Sequence, residues 1–152
     1  MAFTVDEVAG VADLFGALPR TDLERGLVEL AFRRGEDFDE AAAADAVEDA
    51  EAAYALVATG SDPELLAPGP AAFPALPDGA ADLPHILDVE RRSTDRAELA
   101  AAAERRFRAD LAAATDADDE ARLRELLEVC FDLDAWGPVD VGDCREEIEA
   151  RL

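Results

Sequence analysis

The sequence has no lysine, asparagine or glutamine, and it has a single histidine, His85. Without lysine there is no Schiff-base nucleophile and none of the cation that phosphate-binding loops carry. No G-x-S-x-G, C-x-x-C, G-x-x-x-x-G-K-[ST] or H-E-x-x-H pattern occurs, so the local signatures of hydrolases, dithiol redox enzymes, P-loop proteins and zincins are missing. No apolar run approaches the roughly 18 residues a membrane span requires. The stretch Met1–Glu7 lacks the basic region and following apolar segment of a signal peptide. The only two cysteines, Cys130 and Cys144, lie far apart, and the expectation is free, buried thiols in a reducing cytoplasm rather than a disulfide.

Acid is abundant. Against 14 basic residues, all arginine, stand 37 acidic ones, a formal charge of -23 on 152 residues. Self-repulsion of that size opposes compaction in dilute buffer. Concentrated salt relieves it, because the screening length falls to about 3 Å at 1 M. The acids are spread over nearly every segment, which reads as a solvated surface adapted to molar salt rather than as one binding patch. Arginine, more weakly hydrated than lysine and able to fork onto carboxylates, suits the same solvent. Half of the residues are hydrophobic, so a folded chain is expected, although much of that half is alanine. The length suits one compact domain or two small subdomains.

Helix signals open the chain. Thr4 with Glu7 fits a capping box, and Val5, Val8, Val11, Ala12, Phe15 and Leu18 follow at helical spacing until Pro19. Thr21 with Glu24 suggests a second box before Leu23, Leu27, Leu30 and Ala31, with Gly35 as the stop. Asp39 reads as the cap of a third helix, Glu40 to about Ala53, preceded by Phe38 as a staple residue. Tyr54–Thr59 and Glu64–Ala67 read as two short strands joined by the turn Gly60-Ser61-Asp62-Pro63, with Pro68 and Pro70 confining the second to an edge. Residues 68–84 are proline-rich and form an ordered crossover without regular helix. Asp95, Asp118 and Asp140 are expected to cap three C-terminal helices, with Trp136-Gly137-Pro138 as a turn.

This order gives a mainly α-helical fold. Residues 1–75 form a winged-helix-like unit of three helices plus a β-hairpin, 76–93 a proline-containing crossover, and 94–152 a helical subdomain packed on the first. The expected core is Phe15, Leu27, Leu30, Phe32, Val47, Leu56, Phe73, Phe107, Leu111, Leu127, Phe131, Trp136 and Ile148.

Two features depart from an even acidic surface. The third helix carries Glu40, Asp45, Glu48, Asp49 and Glu51 with no arginine, which opposes the DNA-reading role of that helix in a winged helix-turn-helix. The only basic concentration is Arg91, Arg92, Arg96, Arg105, Arg106 and Arg108. It reads either as an internally neutralised face or as a stripe docking an acidic partner, such as the third helix of another copy. On the docking reading, the candidate partner-binding residues are Arg91, Arg92, Arg96, Arg105, Arg106, Arg108, Asp45, Glu48 and Asp49. No catalytic residue, metal ligand or cofactor is assigned; His85, flanked by Asp82 and Asp88, reads as a loop histidine. Acid runs such as Asp116–Glu120 lack the glycine and spacing of a calcium loop.

Leu65–Phe73, Asp82–Asp88, Trp136–Val141 and Val11–Leu18 resemble segments of an uncharacterised family of short acidic proteins from halophilic archaea. The resemblance implies a salt-loaded archaeal cytoplasm and carries over no functional residue. The expected function is a non-catalytic protein-interaction or regulatory module with a protein partner or a homodimer contact. A winged-helix DNA-binding regulator is the alternative, and an enzyme with a carboxylate or His85 site the third reading. No membrane association is expected.

Overall fold

A computed structural model describes residues 3–152. The protein is mainly helical, with a two-stranded antiparallel hairpin after three N-terminal helices. The chain divides into two compact units, residues 1–94 and 95–152.

In the first unit α1 spans Val5–Phe15, α2 Arg20–Arg33 and α3 Glu40–Ala52. The Thr4 hydroxyl accepts the Glu7 N–H and the Glu7 carboxylate accepts the Thr4 N–H, closing the expected capping box. Asp39 caps α3 by accepting the Ala42 N–H at 2.9 Å. The box expected at Thr21 does not form. Helix α2 starts two residues earlier, with Pro19 rather than Thr21 at the cap position, and the fixed φ of Pro19 sets the entry without any side-chain cap. Gly35 ends α2 in the left-handed region at φ 71°, and the following Glu36 N–H donates to Ala31 O.

Strands β1, Leu56–Thr59, and β2, Leu65–Pro68, pair antiparallel with Leu56 opposite Pro68 and Thr59 opposite Leu65. Leu18, between α1 and α2, adds an antiparallel bridge to Leu66 through N–H···O contacts of 3.1 and 2.8 Å. β2 is therefore flanked on both sides at Leu66 and is not the edge expected from its prolines. Pro68 is tolerated because it stands at the last position of β2, past the Leu18 bridge. Order of elements and this bridge together give the winged-helix-like arrangement.

Val8, Val11, Phe15, Leu18, Leu23, Leu27, Leu30, Val47, Leu56, Leu66 and Leu83 are buried together. Burying each such side chain removes roughly 1.5–3 kcal/mol of apolar exposure, as an upper estimate. The crossover lies on α1: Ala75 N–H donates to Asp6 O, and Phe73 N–H to Asp6 Oδ1. Gly10 makes this possible, since a methyl group there would overlap the Ala75 carbonyl. The proline-rich segment is not free of helix. A 3-10 turn at Ala80–Asp82 runs into α4, Leu83–Leu87, with Pro84 in the first turn where its missing N–H costs nothing.

The second unit holds α5, Arg96–Asp116, α6, Glu120–Trp136, and α7, Gly142–Arg151. Asp95 caps α5 as expected. Asp119, not Asp118, caps α6, because Asp118 takes the left-handed turn at φ 54°. Asp140 Oδ1 accepts Gly142 N–H at 3.1 Å, one residue before the α7 boundary at Val141. Leu99, Ala103, Phe107 and Leu111 of α5, Leu123, Leu126 and Leu133 of α6, and Ile148 of α7 are buried.

Most expected core residues are buried, but Phe32 and Phe73 are each 78% exposed and Phe131 53%. Phe32 falls just past the Leu27–Leu30–Ala31 stripe. Phe131 falls just past Cys130, with the Arg145 guanidinium 5.7 Å from its ring. Phe73 sits on a segment held by backbone bonds rather than by its side chain. Leu127 and Trp136 are half-buried.

Candidate functional site

Helix α3 turns Ala43, Val47 and Ala50 into the core. With inward positions three and four residues apart, the residues between them face solvent. Asp45, Glu48 and Asp49 occupy those positions and are exposed. None of the three has a basic partner among the described residues. Glu51 differs, since the Arg20 guanidinium of α2 donates to its carboxylate. The sequence expectation of five unopposed acids is corrected at this residue: α3 has no arginine of its own, but its neighbour in the fold supplies one.

In front of the N-terminal half of α3 lies a cleft of about 600 Å³. Phe3, Val5, Phe38, Ala42 and Ala46 give it an apolar lining, and Glu36, Asp37, Asp45 and Asp49 line it with carboxylates. Phe3 and Phe38 meet edge to face, with centroids 5.3 Å apart and planes at 80°. The Arg34 guanidinium stands 5.3 Å over the Phe3 ring and 3.7 Å from the Glu36 carboxylate. Sequence reasoning singled out Asp45 and Asp49 but missed the cleft. Its signal was the pair of phenylalanines standing immediately before the caps Thr4 and Asp39, which the fold brings together.

The six arginines fall into separate settings. In the first unit, Arg91 donates to the carbonyls of Asp13 and Leu14 at the end of α1, and the Arg92 N–H donates to Phe15 O at 2.8 Å. In the second unit, Arg96 stacks 4.2 Å from the Trp136 ring and donates to the Trp136 carbonyl. Arg106 lies 3.7 Å from Asp110. Arg105 is exposed, with no ion pair among the described residues.

Arg108 reaches furthest. It donates to Glu104 at 3.0 Å one turn earlier, to both Asp143 oxygens at 2.9 and 3.2 Å, to Asp140 O at 3.3 Å, and to Cys144 Sγ at 3.1 Å. The bonds to Asp143 and Glu104 hold its guanidinium well above its ordinary range, and the Arg108 bond holds the Asp143 carboxyl below the usual carboxylate range. Both cysteines are free and buried. Burial, reinforced by nearby Cys144, pushes the Cys130 thiol up to about 11. Burial also raises Cys144, against the pull of Arg108. These are neutral, protected thiols rather than poised nucleophiles.

His85 is exposed on α4, and its imidazole forms no hydrogen bond with Asp82 or Asp88 among the described residues. Among the same residues no group of three or more His, Cys, Asp or Glu side chains is arranged to hold a metal ion. No helix is long and apolar enough to cross a membrane among them.

No curated protein and no solved structure matches the chain. A family model does, over residues 6–152. The chain therefore belongs to the Family of unknown function (DUF7109).

Proposed function

We propose that the chain is a salt-adapted, cytoplasmic, non-catalytic interaction module whose winged-helix-like unit engages protein rather than DNA. The observation that carries this reading is the charge of the two elements a winged helix would place against a duplex. The exposed face of α3 bears Asp45, Glu48 and Asp49, and the tip of the hairpin bears Asp62 and Glu64. DNA binding draws its affinity from cations set against phosphates, and carboxylates at those positions repel the backbone. Screening in molar salt reduces that repulsion without turning it into attraction. A protein surface has no such requirement.

The DNA-binding regulator is the second reading. It rests on the three helices, the hairpin and the Leu18–Leu66 bridge, an arrangement shared with groove-reading proteins. The acidic surface supports an origin in a salt-loaded archaeal cytoplasm, where a charge of -23 is screened.

Affinity purification of the tagged chain from native lysate in molar KCl separates the readings. The expected result is a stoichiometric protein partner and no mobility shift with genomic DNA fragments. A shift that persists in molar KCl, or recovery of the monomer alone, would overturn the proposal.

A further inference from the structure

We infer that the cleft lined by Phe3, Phe38, Ala42 and Ala46 receives an arginine-bearing amphipathic helix of the protein partner, an inference that rests on the interaction-module reading. Two chemistries meet in the cleft. The aromatic pair and the alanines of α3 supply an apolar floor that takes an apolar side chain. Around it stand Glu36, Asp37, Asp45 and Asp49, and of these only Glu36 has an ion-pair partner among the described residues, Arg34. A partner that is merely apolar would leave these carboxylates dehydrated and unpaired at the contact, which is costly. A partner that is merely cationic would gain little, because molar salt screens any charge pair not in direct contact. Only a segment carrying both groups satisfies the lining.

Arginine is the cation that fits. Its planar fork matches carboxylates, and it stacks on aromatic faces where an ammonium does not. Arg34, seated at once over the Phe3 ring and beside Glu36, shows that one guanidinium can use both features of this surface. Other apolar side chains of this unit are also left open. The segment bonded to Asp6, next to Val5, leaves Phe73 78% and Leu76 51% exposed. An amphipathic helix presents apolar anchors every three or four residues, and Ala42 and Ala46, one turn apart on α3, offer a floor of matching spacing. Nucleic acid meets the same carboxylates with phosphates and is disfavoured.

The test is fluorescence anisotropy in 1 M KCl with a labelled synthetic peptide of about five helical turns, leucine on one face and arginine on the other. One control peptide has glutamine for arginine, and another has glutamine for leucine. The leucine–arginine peptide binds, and each control binds at least about tenfold more weakly. Asp45→Arg/Asp49→Arg weakens binding at least about tenfold, while Glu64→Arg/Glu90→Arg, an equal charge change outside the cleft, alters it less than about twofold. Ala46→Phe, which fills the floor without touching charge, also abolishes binding. All substituted residues except Ala46 are exposed, and circular dichroism confirms that each variant folds.

Equal binding to the cleft and control variants, or to the leucine–arginine and leucine–glutamine peptides, would overturn the inference. So would a dimer in sedimentation equilibrium that Asp45→Arg/Asp49→Arg dissociates, because the occupant would then be a second copy. Either failure is distinct from failure of the broader reading: a protein partner that still co-purifies with Asp45→Arg/Asp49→Arg keeps the interaction module and moves its surface elsewhere.

Discussion

Arg108 and the two cysteines show how residues can be legible by type and illegible by role. The sequence marks Arg108 as part of a basic run with Glu104 one turn away. It gives no sign that Asp143 and the Asp140 carbonyl, more than thirty residues on, complete its bonds. Cap residues are different, because their partners lie within three residues: Thr4, Asp39 and Asp95 are readable for that reason. Phe32 and Phe131 stay exposed because periodicity reports a helix's own stripe and not what the rest of the fold covers, and Phe73 because backbone bonds, not its side chain, hold its segment. The thiols give a pH prediction. A buried thiol whose folded value is raised adds stability while it is neutral, below its ordinary range near 9.0, and that contribution is lost as pH climbs toward the folded value of about 11 for Cys130. Iodoacetamide at pH 8.5 should leave both cysteines of the folded chain unmodified and label both in denaturant. Rapid stoichiometric labelling of the folded chain would contradict the burial assigned to them.

At the scale of elements, the proline-rich crossover is the informative one. Its prolines announce an irregular segment, and the expectation of an ordered path is met by its bonds to Asp6. What the sequence conceals is why it stays there. The segment is held by backbone groups meeting α1 at Gly10, a glycine inside a helix that looks like a weakness when α1 is read alone. Gly10→Ala is the decisive change. In an isolated helix it would stabilise by about 0.8–1 kcal/mol. Here the added methyl overlaps the Ala75 backbone, and the expected outcome is destabilisation by about 1–3 kcal/mol, with faster amide exchange at Ala75. A melting temperature at or above the parent's would show that the close approach is not needed. The hairpin teaches a similar lesson, since β2 reads as an edge from its prolines and gains a second neighbour only through Leu18, from another part of the chain.

For the whole molecule, charge and fold answer different questions. Fourteen arginines cannot neutralise 37 carboxylates, and a formal charge of -23 is left to repel itself in dilute buffer. Dialysis from molar KCl to dilute buffer should therefore lower helical circular dichroism, and restoring salt should recover it; an undiminished spectrum would contradict salt dependence. The winged-helix-like order was legible because two caps, Thr4 and Asp39, one turn and the proline positions are local signals. The cleft was not, because Phe3 and Phe38 come together only once α1 and α3 pack. Paired co-purification of the parent chain and of Asp45→Arg/Asp49→Arg, in molar KCl from one lysate, puts both the protein partner and its surface to trial at once. A stoichiometric protein should be bound to the parent and lost from the variant, with no nucleic acid on either. DNA retained by the parent in place of a protein, or no partner at all, would contradict the interaction-module reading.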